Sequence, residues 1–455
     1  MPTAYTILFL LLILVAAATW IIPAGSYDYV DGVPVAGTYH TVEQNPQGVG
    51  DVLKAAFSGF YDAVDVCIFI LMVGGFLGVV MKTGAVDAGV GNVIRLLGGR
   101  EKWLIPILML LFGLGGTTYG MWEETMAFYP LLIPVFLAAG YDAVVGISVI
   151  LLGAGAGVIA STVNPFATGI AAGFAGVSLG EGIVLRLLEW VAFEVAAIWF
   201  VMAYAAKVKK NPSKSVVGVG AGKIQVSMDQ QVSFTAKRKV IMALFTLTFL
   251  IMVYAVVPFD EMGLSLPALG WWFPELSALF LVAGVVIGLI DRMSEEELVE
   301  TYVAGCADLL GVAFIIGISR GITVLMNDGA ITDTVLHWGE QALSGAGAIS
   351  FTLLVFALYL PLTILIPSSS GLATLSIPIV APLGKFAGVG GDLVVTAFQS
   401  ASGLVNIITP TAAVVMGALA LGHVPYDRWV KYVWKLILWF LLLALAFLVA
   451  GVLLG

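Results

Sequence analysis

The chain has little charge, little histidine and little cysteine, and each shortage excludes a class of protein. Charged residues make up 11% of its 455 residues, whereas about 25% is usual in a soluble domain. Three histidines and two cysteines are too few for a Cys/His metal cluster or a disulfide framework. The formal net charge of −9 disfavours polyanionic ligands, so no nucleic-acid partner is expected.

Apolar residues and glycine are what the sequence has in abundance. Hydrophobic residues make up 60% of the chain, which also contains 53 glycines. The composition predicts an all-α polytopic membrane protein whose partner is the lipid bilayer. Gly74 with Gly78, and Gly153 with Gly157, predict close helix packing. A spanning helix needs about 20 apolar residues, and the apolar runs cover 5–22, 63–81, 103–119, 123–139, 142–175, 183–205, 239–257, 273–290, 309–326, 348–366, 371–388, 392–420 and 434–455.

Lysine and arginine predict the orientation of the spans, because basic loops stay on the cytoplasmic side. The segment 207–239 contains eight basic residues and one acid, whereas 258–275 and 327–347 contain no Lys or Arg. Successive spans can connect these loops on the assigned sides only if two segments are re-entrant. Residues 103–139 must enter and leave on the cytoplasmic side, and residues 348–388 must enter and leave on the outer side. The pattern predicts nine spans, two re-entrant hairpins and a cytoplasmic N-terminus. The first apolar run is interpreted as a retained span rather than as a signal peptide, because a signal peptide begins with basic residues and none precedes this run.

The sequence contains an internal repeat, because two parts of the chain have the same features in the same order. Residues 69–85 (FILMVGGFLGVVMKTGA) resemble residues 314–330 (FIIGISRGITVLMNDGA) at an offset of 245. A chance match between glycine-rich segments is the alternative. By the predicted orientation, the first segment runs inward and the second outward, so the repeats are inverted, as in many secondary transporters. The order continues downstream, where Thr117–Gly120 corresponds to Ser368–Gly371, and Asn164-Pro165 to Thr409-Pro410.

The repeats divide the chain into five parts. Residues 1–57 form the first span and an outer loop, and 58–206 form the first repeat. A cytoplasmic linker covers 207–238, and linking spans cover 239–291. The second repeat is 292–455, and it opens with an arm at 294–304 whose start is a capping-box pattern of Ser294 and Glu297.

The tips of the two predicted hairpins are candidate binding elements. Backbone that is not helical is tolerated at membrane depth only inside protein or beside a wet cavity. Free N–H groups at a helix start bind anionic groups, while free carbonyls and hydroxyls bind cations. Two kinked helices without a binding role are the alternative. The candidate residues are Thr117, Thr118, Tyr119 and Gly120 in the first tip, and Ser368, Ser369, Ser370 and Gly371 in the second.

Two Pro-broken helices supply the second set of candidates. A proline inside a helix removes a hydrogen bond and frees a carbonyl. Asn164 and Thr409 precede the two prolines, and Asn406 adds an amide that both donates and accepts. We therefore include these three side chains in the predicted substrate site. A structural kink alone is the alternative.

Glu123 and Glu124 are the most informative pair in the sequence. One carboxylate in a bilayer costs about 2.5–3.5 kcal/mol even on insertion scales, so such residues usually have a functional reason. Two together attract a cation, and the matching stretch of the second hairpin has no acid. The predicted site would then have carboxylates on the first hairpin and hydroxyls on the second, an arrangement that suits an amino acid with a cationic side chain. The alternative is a structural ion pair with Arg320 or Arg186.

Other charged residues fall within or beside the apolar runs. Arg320 lies in the run 309–326, where it either holds a substrate carboxylate or balances an acid. Asp62, Asp65 and Asp308 sit near span ends, which favours interfacial or intersubunit positions. Glu189 and Glu194 are weaker candidates, for a proton path.

With these features, the sequence resembles the YfcC-type branch of the anaerobic four-carbon-dicarboxylate carrier family, within the ion transporter superfamily. The matching segments are Trp20–Gly25, Gly74–Phe76 and Gly120–Thr125, followed by Pro130 and Pro134. Trp122 stands where the branch has Ala. The resemblance covers nearly the whole chain.

The resemblance implies an inverted-repeat fold with a homodimeric scaffold and a mobile transport domain that works as an elevator. It also implies a site built from the two tips and the two broken helices. Related members bind sodium at positions that correspond here to Thr117, Asn164, Ser369 and Thr409. The branch is named for antiport of basic amino acids, and the wider family for dicarboxylates.

We therefore predict a secondary transporter in the cytoplasmic (inner) membrane of a prokaryote, and not an enzyme. Its expected activity is exchange of a small-molecule substrate: arginine, ornithine or lysine. The alternative is transport of dicarboxylates or short-chain carboxylates coupled to sodium or protons. No cofactor is expected, and the coupling ion, sodium or proton, stays open. A channel is the competing class, because re-entrant loops also occur in channels.

Overall fold

The computed structural model describes residues 4–86, 88–89, 100–178, 180–218, 235–256, 266–267, 269–271 and 273–454. Most of the predicted arm of the first repeat, at 87 and 90–99, lies outside the described residues, as do 219–234 of the predicted linker. The α-helices are α1 Ala4–Ala18, α2 Val49–Asp62, α3 Val64–Lys82, α4 Leu104–Tyr119, α5 Tyr129–Ala138, α6 Ala143–Ile159, α7 Ile170–Ala175, α8 Ile183–Lys210, α9 Ala236–Val256, α10 Phe273–Asp291, α11 Glu295–Asp328, α12 Thr332–Leu343, α13 Ala348–Leu365, α14 Ser369–Ala387, α15 Gly391–Asn406, α16 Ala413–Leu421 and α17 Tyr426–Leu454.

The helices are those of a multi-pass membrane protein. Within the described residues, seven helical segments are long and apolar enough to cross a bilayer, and these are Val64–Lys82, Glu101–Tyr119, Phe273–Asp291, Glu295–Asp328, Ala348–Leu365, Ser369–Ala387 and Tyr426–Leu454. Two shorter apolar helices, α1 and α6, add to them. The total of nine spans and the cytoplasmic N-terminus stay predictions.

The helices pack as two groups. The long-helix group comprises α1–α3 and α9–α11, in which α11 packs against α1, α2 and α3. The hairpin group comprises α4–α8 and α13–α17, in which α6 contacts α4, α8 and α15. Contacts between α11 and α16, and between α3 and the segment Glu123–Phe128, join the two groups.

Glycine allows the backbones to approach closely within each group. A Cβ on Gly74 of α3 would lie 2.5 Å from the carbonyl oxygen of Gly305 in α11. A Cβ on Gly157 of α6 would lie 2.2 Å from the carbonyl oxygen of Gly113 in α4. No side chain fits at either crossing, because real Cβ contacts are longer. The prediction of close glycine packing is therefore confirmed, and it is typical of membrane helices.

Two helix–turn–helix units occupy the predicted hairpins. In the first, α4 is followed by a 3₁₀ segment, Glu123–Phe128, before α5. The regular helix starts at Tyr129 rather than at 123, because Pro130 fits the first turn of a helix and lacks an N–H. In the second, Pro367 separates α13 from α14. Their re-entry from one side of the membrane stays a prediction.

Both predicted helix interruptions are present. The first follows α6 at 160–164, and a π-helical turn, Pro165–Gly169, leads into α7. The second separates α15 from α16 at 407–412. The predicted arm at 294–304 differs, because Ser294 caps α11 by accepting from the Glu297 N–H (3.1 Å). Those residues are thus the first turns of one continuous 34-residue helix.

The segment between α1 and α2 forms two short hairpins that rest on α12. Strand β1 (Gly25–Ser26) pairs with β4 (His40–Thr41), and β2 (Tyr29–Val30) pairs with β3 (Val33–Pro34). Asp333 of α12 accepts hydrogen bonds from the Tyr27 N–H (3.0 Å) and the Tyr29 hydroxyl (2.8 Å). The Tyr27 hydroxyl donates to Glu340 (2.8 Å).

Burial and then the hydrogen bond to a carboxylate raise the pKa of both Tyr27 and Tyr29. A tyrosine whose pKa is raised on folding contributes its stabilisation fully below the unfolded value of about 10. The contribution is lost as pH rises through the higher folded value. The attachment of the loop to α12 therefore persists at all neutral and moderately alkaline pH values.

Asp333→Asn is expected to loosen this attachment. Hydrogen bonds to a charged group contribute about 1.5–3 kcal/mol each, and Asp333 is buried. Limited proteolysis at Tyr29 and Tyr39 should become about tenfold faster for each 1.4 kcal/mol lost. Asp31→Asn is the matched control, because Asp31 is exposed in a turn with φ of +50°, a conformation that Asn tolerates. Equal cleavage of Asp333→Asn and the wild type would contradict the assigned role.

Candidate functional site

A cavity of about 200 Å³ lies between the long-helix group and the hairpin group. It brings together residues that are more than 300 positions apart in the chain. The predicted site residues on its wall are Gly120, Glu123, Glu124, Asn164, Arg320, Ser368, Ser369, Ser370 and Asn406. Thr117, Thr118, Tyr119, Gly371 and Thr409 lie behind the wall rather than on it.

The first tip rests directly on the first helix break. Gly120 ends α4 in the left-handed conformation, with φ of +77°. A Cβ at this position would lie 2.5 Å from the Asn164 side-chain nitrogen. Both the backbone conformation and the contact therefore require glycine. Asn164 also accepts from the Ala167 N–H (3.3 Å), so the amide that lines the cavity is held in place.

Thr117 connects α4 to the same break. Its hydroxyl donates to the Ala160 carbonyl (2.8 Å), and its carbonyl accepts from the Thr162 N–H (2.9 Å). These bonds occupy backbone groups that the interrupted helix leaves unpaired. Thr118 donates back to Leu114 in its own helix (2.6 Å), and Tyr119 is buried within electrostatic range of Glu124.

The second tip presents three consecutive serines. Ser368 caps α14 by accepting from the Gly371 N–H (3.2 Å), and its hydroxyl lies 3.4 Å from that of Ser370. Ser369 and Ser370 begin the helix beside the cavity. The start of a helix carries partial positive charge and free N–H groups. The tip can therefore bind an anionic group through N–H and O–H donors.

Side chains outside the cavity support the second break. The Trp429 indole donates to the Ile407 carbonyl (3.1 Å), and the Tyr426 hydroxyl donates to the Ile408 carbonyl (2.8 Å). The Thr409 and Thr411 hydroxyls lie 2.8 Å apart. Ser319 of α11 donates to the Thr411 carbonyl (2.6 Å), which is a contact across the boundary between the two helix groups.

The wall of the cavity carries four carboxyl groups and one guanidinium. Asp62 and Asp65 come from the long-helix group, and Glu123 and Glu124 from the hairpin group. Arg320 lies 3.8 Å from Asp62, whose side chain is 53% exposed, so this ion pair is weak. The wall therefore has more acidic than basic groups.

Glu123 and Glu124 differ in their surroundings. Glu124 is buried and accepts from the Trp122 N–H (3.1 Å). Glu123 is part-exposed within the electrostatic range of Arg320 and Asp65. Within the described part of the chain, neither glutamate forms an ion pair. The alternative of a structural ion pair with Arg186 or Arg320 is therefore not what this conformation contains.

Asp62 and Asp65 both line the cavity, a position that the sequence did not indicate, and their expected interfacial or intersubunit location stays a prediction. They lie three residues apart, where α2 meets α3, beside an apolar run. That spacing next to a span could have identified them. Ser319, Thr411, Trp122 and Phe273 also line the cavity. Thr411 lies beside the predicted second break, and Trp122 is the residue that departs from the family pattern. Ser319 and Phe273 were not predicted, because no local pattern distinguishes them from packing residues.

Arg186 is buried beside the first break, and not in the cavity. Its guanidinium donates to the Thr162 carbonyl (3.3 Å) and lies beside Asp392 and Glu189. Together with Thr117, it supports the backbone of residues 160–162. Arg186 and Glu189 are buried and Asp392 is half-buried, and the three groups form an electrostatic network behind the cavity.

Arg186→Gln is expected to destabilise the protein. The change removes the charged donor to the buried Thr162 carbonyl and the positive charge beside Glu189, and loss of a hydrogen bond from a charged group costs about 1.5–3 kcal/mol. The melting temperature of the detergent-solubilised protein should therefore fall by many degrees. Lys207→Gln is the matched control, because Lys207 lies on the same helix and is exposed. An unchanged melting temperature in Arg186→Gln would show that the network is not structural.

Comparison with known proteins identifies the class. The fold and cavity are those of a membrane transporter, and residues 1–453 match the DcuC family, described as C4-dicarboxylate anaerobic carrier. The chain therefore belongs to the C4-dicarboxylate anaerobic carrier family. This membership confirms the resemblance in the sequence and the prediction of a transporter rather than an enzyme.

Relatives cover nearly the whole chain. An uncharacterised protein of Haemophilus influenzae is 35% identical over 99% of this chain and 97% of its own length. The Escherichia coli protein named "Putative basic amino acid antiporter YfcC" is 30% identical over 95% of this chain and 92% of its own.

Two solved structures also align with nearly the whole chain, at lower sequence identity than these relatives. The YdaH transporter of Alcanivorax borkumensis is 14% identical, with a TM-score of 0.44 over 98% of both chains. MtrF of Neisseria gonorrhoeae, described among antimetabolite efflux pumps, is 18% identical, with a TM-score of 0.43 over 98% of this chain and 94% of its own.

Proposed function

We propose that this protein is a secondary active exchanger of basic amino acids such as arginine, ornithine and lysine. The observation that carries the proposal is the cavity wall, with four carboxyl groups against one guanidinium. A basic amino acid has one net positive charge at neutral pH. A dicarboxylate would instead bring two negative charges toward the four acids, and like charges at short range repel. The name of the E. coli relative agrees with this substrate class.

The two ends of the substrate would meet different parts of the wall. Glu123, Glu124 and the acids of the long-helix group would hold the cationic side chain and the α-amine. The serine hydroxyls at 368–370 and the start of α14 would hold the α-carboxylate, with Arg320 as a second anchor. The arrangement fits an amino acid whose side-chain positive charge lies at the opposite end from its α-carboxylate.

The position of the cavity supports an elevator mechanism. Since the cavity lies between the two helix groups, a displacement of the hairpin group along the long-helix group would carry the bound substrate across the membrane. In this proposal the long-helix group is the scaffold of a homodimer in the inner membrane, and the two repeats are inverted. Sodium at Thr117, Asn164, Ser369 and Thr409 belongs to the same proposal.

Counterflow in proteoliposomes tests the substrate. Vesicles are loaded with unlabelled arginine, and uptake of labelled arginine is measured without sodium and then with sodium. Ornithine, lysine, succinate, malate and acetate are added outside as competitors. We expect accumulation that ornithine and lysine suppress and that the carboxylates leave unchanged.

Two results would contradict the proposal. An absence of arginine counterflow in both buffers would eliminate the substrate, and the same assay with succinate would then test the activity that the family's name describes. Conduction that shows neither saturation nor counterflow would indicate a channel. A strict requirement for sodium would assign the coupling ion to sodium.

A further inference from the structure

Two carboxyl groups of α8, Glu189 and Glu194, are buried away from the substrate cavity, with exposures of 0% and 3%. Glu189 accepts from the Ser400 hydroxyl (2.8 Å) and lies within the electrostatic range of Arg186. Neither oxygen of Glu194 has a hydrogen-bond partner within the described residues. One oxygen of Glu189 also lacks a partner within the described residues, so the two acids differ in the hydroxyl donor and the nearby arginine that only Glu189 has.

Three helices, α4, α6 and α17, pack against α8. Helix α4 brings Gly113 against the Glu194 carboxyl group, and α17 packs on α8 through Phe440 against Phe193. The buried faces of the three helices contain no acid, lysine or arginine within the described residues, and their titratable groups are the phenols of Tyr119 and Tyr432. The charged groups near this part of α8 are Arg186, on the same helix, and Asp392 of α15, and both act around Glu189.

The absence of any partner determines the protonation state of Glu194. An ionised carboxylate without a partner is very costly in a protein interior or a bilayer. Glu194 therefore holds a proton in this conformation. Glu189 differs in having a hydroxyl donor and a nearby arginine, which partly offset the cost of a charge there.

Gly113, the residue that packs against the Glu194 carboxyl group, belongs to α4, the helix that ends at the first tip. A Cβ on Gly113 would lie 2.3 Å from the Glu194 Oε2 atom, so the carboxyl group fits only against a glycine. Gly113 and Gly120 are seven residues apart on α4, which corresponds to about 10 Å along the helix axis. A movement of α4 that opens the tip would therefore also uncover Glu194.

We propose that Glu194 is a proton-binding site that couples proton movement to transport, an inference that rests on the proposed exchange activity. When α4 moves aside, water reaches the carboxyl group, which releases one proton and becomes a carboxylate. When the cavity has opened to the other side of the membrane, the carboxylate takes one proton from hydronium in the water there, and α4 closes over the neutral carboxyl group. One proton thus accompanies each opening and closing of the first hairpin.

Infrared spectroscopy of the purified protein tests the protonation state without any substrate. At neutral pH, the wild type should have a carboxylic-acid C=O band that Glu194→Gln removes and Glu189→Gln retains. Gly113→Ala keeps the acid and displaces it, so it should shift the band, and this variant keeps the test valid if Glu194→Gln does not fold. A wild type without the band, or a Glu194→Gln spectrum with the same carboxylic-acid intensity as the wild type, overturns the proposal.

Proton flux tests the coupling. A substrate gradient across proteoliposomes that contain a pH-sensitive dye should move protons in the wild type and not in Glu194→Gln. Arginine counterflow should persist in this variant, since the cavity is intact. Proton flux that survives in Glu194→Gln overturns the coupling role. A wild type without arginine counterflow rejects the proposed substrate alone, because the infrared result decides the protonation of Glu194 independently.

Discussion

Replacement of both Glu123 and Glu124 by glutamine is expected to abolish arginine counterflow. Both side chains line the cavity, and their removal leaves two acids against Arg320. A hydrogen bond to a charged group contributes about 1.5–3 kcal/mol. The loss of two such contacts lowers affinity by a factor of about 100 or more. Labelled arginine uptake against an arginine-loaded lumen measures this directly.

The single variants separate charge from structure. Glu123 is part-exposed in the cavity, whereas Glu124 also accepts from the Trp122 N–H. Glu123→Gln should lower affinity with an unchanged melting temperature, whereas Glu124→Gln should lower both. Glu297→Gln is the control, since Glu297 pairs with Lys82 (3.6 Å) away from the cavity. Counterflow that survives the double change would remove both acids from the binding site.

A disulfide between positions 319 and 411 is expected to stop transport. The Ser319 hydroxyl donates to the Thr411 carbonyl (2.6 Å), and the two residues belong to different helix groups. A Ser319→Cys, Thr411→Cys protein, with the native Cys67 and Cys306 replaced by alanine, should crosslink on mild oxidation. Counterflow should then fall to background, because the hairpin group can no longer move along the long-helix group. Reduction should restore it.

The chain offers a matched control for this crosslink. The Cys67 thiol donates to the Ala313 carbonyl (3.5 Å), the same side-chain-to-carbonyl geometry, but both residues belong to the long-helix group. Ala313→Cys with Cys306→Ala should therefore crosslink without a loss of transport. Equal counterflow in both oxidised proteins would contradict a movement between the two groups.

The sequence predicts features that depend on neighbours along the chain. The tip glycines and serines, the interruptions before Pro165 and Pro410, and the close helix contacts at Gly74 and Gly157 all follow from local chemistry. The membrane class follows from composition alone. These are the parts of the fold and of the site for which a short segment contains all the necessary information.

Features that depend on which helix faces meet could not be predicted in this way. Asp62 and Asp65 belong to the cavity only because α2 and α3 turn their junction toward the hairpin group. Arg186 was one alternative partner for Glu123 and Glu124, yet it lies beside the first break because α8 packs along α6. The continuity of α11 was missed because a charged first half and an apolar second half resemble two elements, although no helix breaker separates them.

Two aromatic side chains behind the cavity support the second break. Trp429 and Tyr426 occupy carbonyls that the break frees, and neither lines the cavity wall. These two supports are thus separate from the serines and Trp122 that face the cavity. In evolutionary terms, this separation makes the region modular. Under the proposed function, changes at Ser368–Ser370 or Trp122 would alter selectivity while Trp429 and Tyr426 preserve the framework, and a redesigned exchanger would start from the same positions.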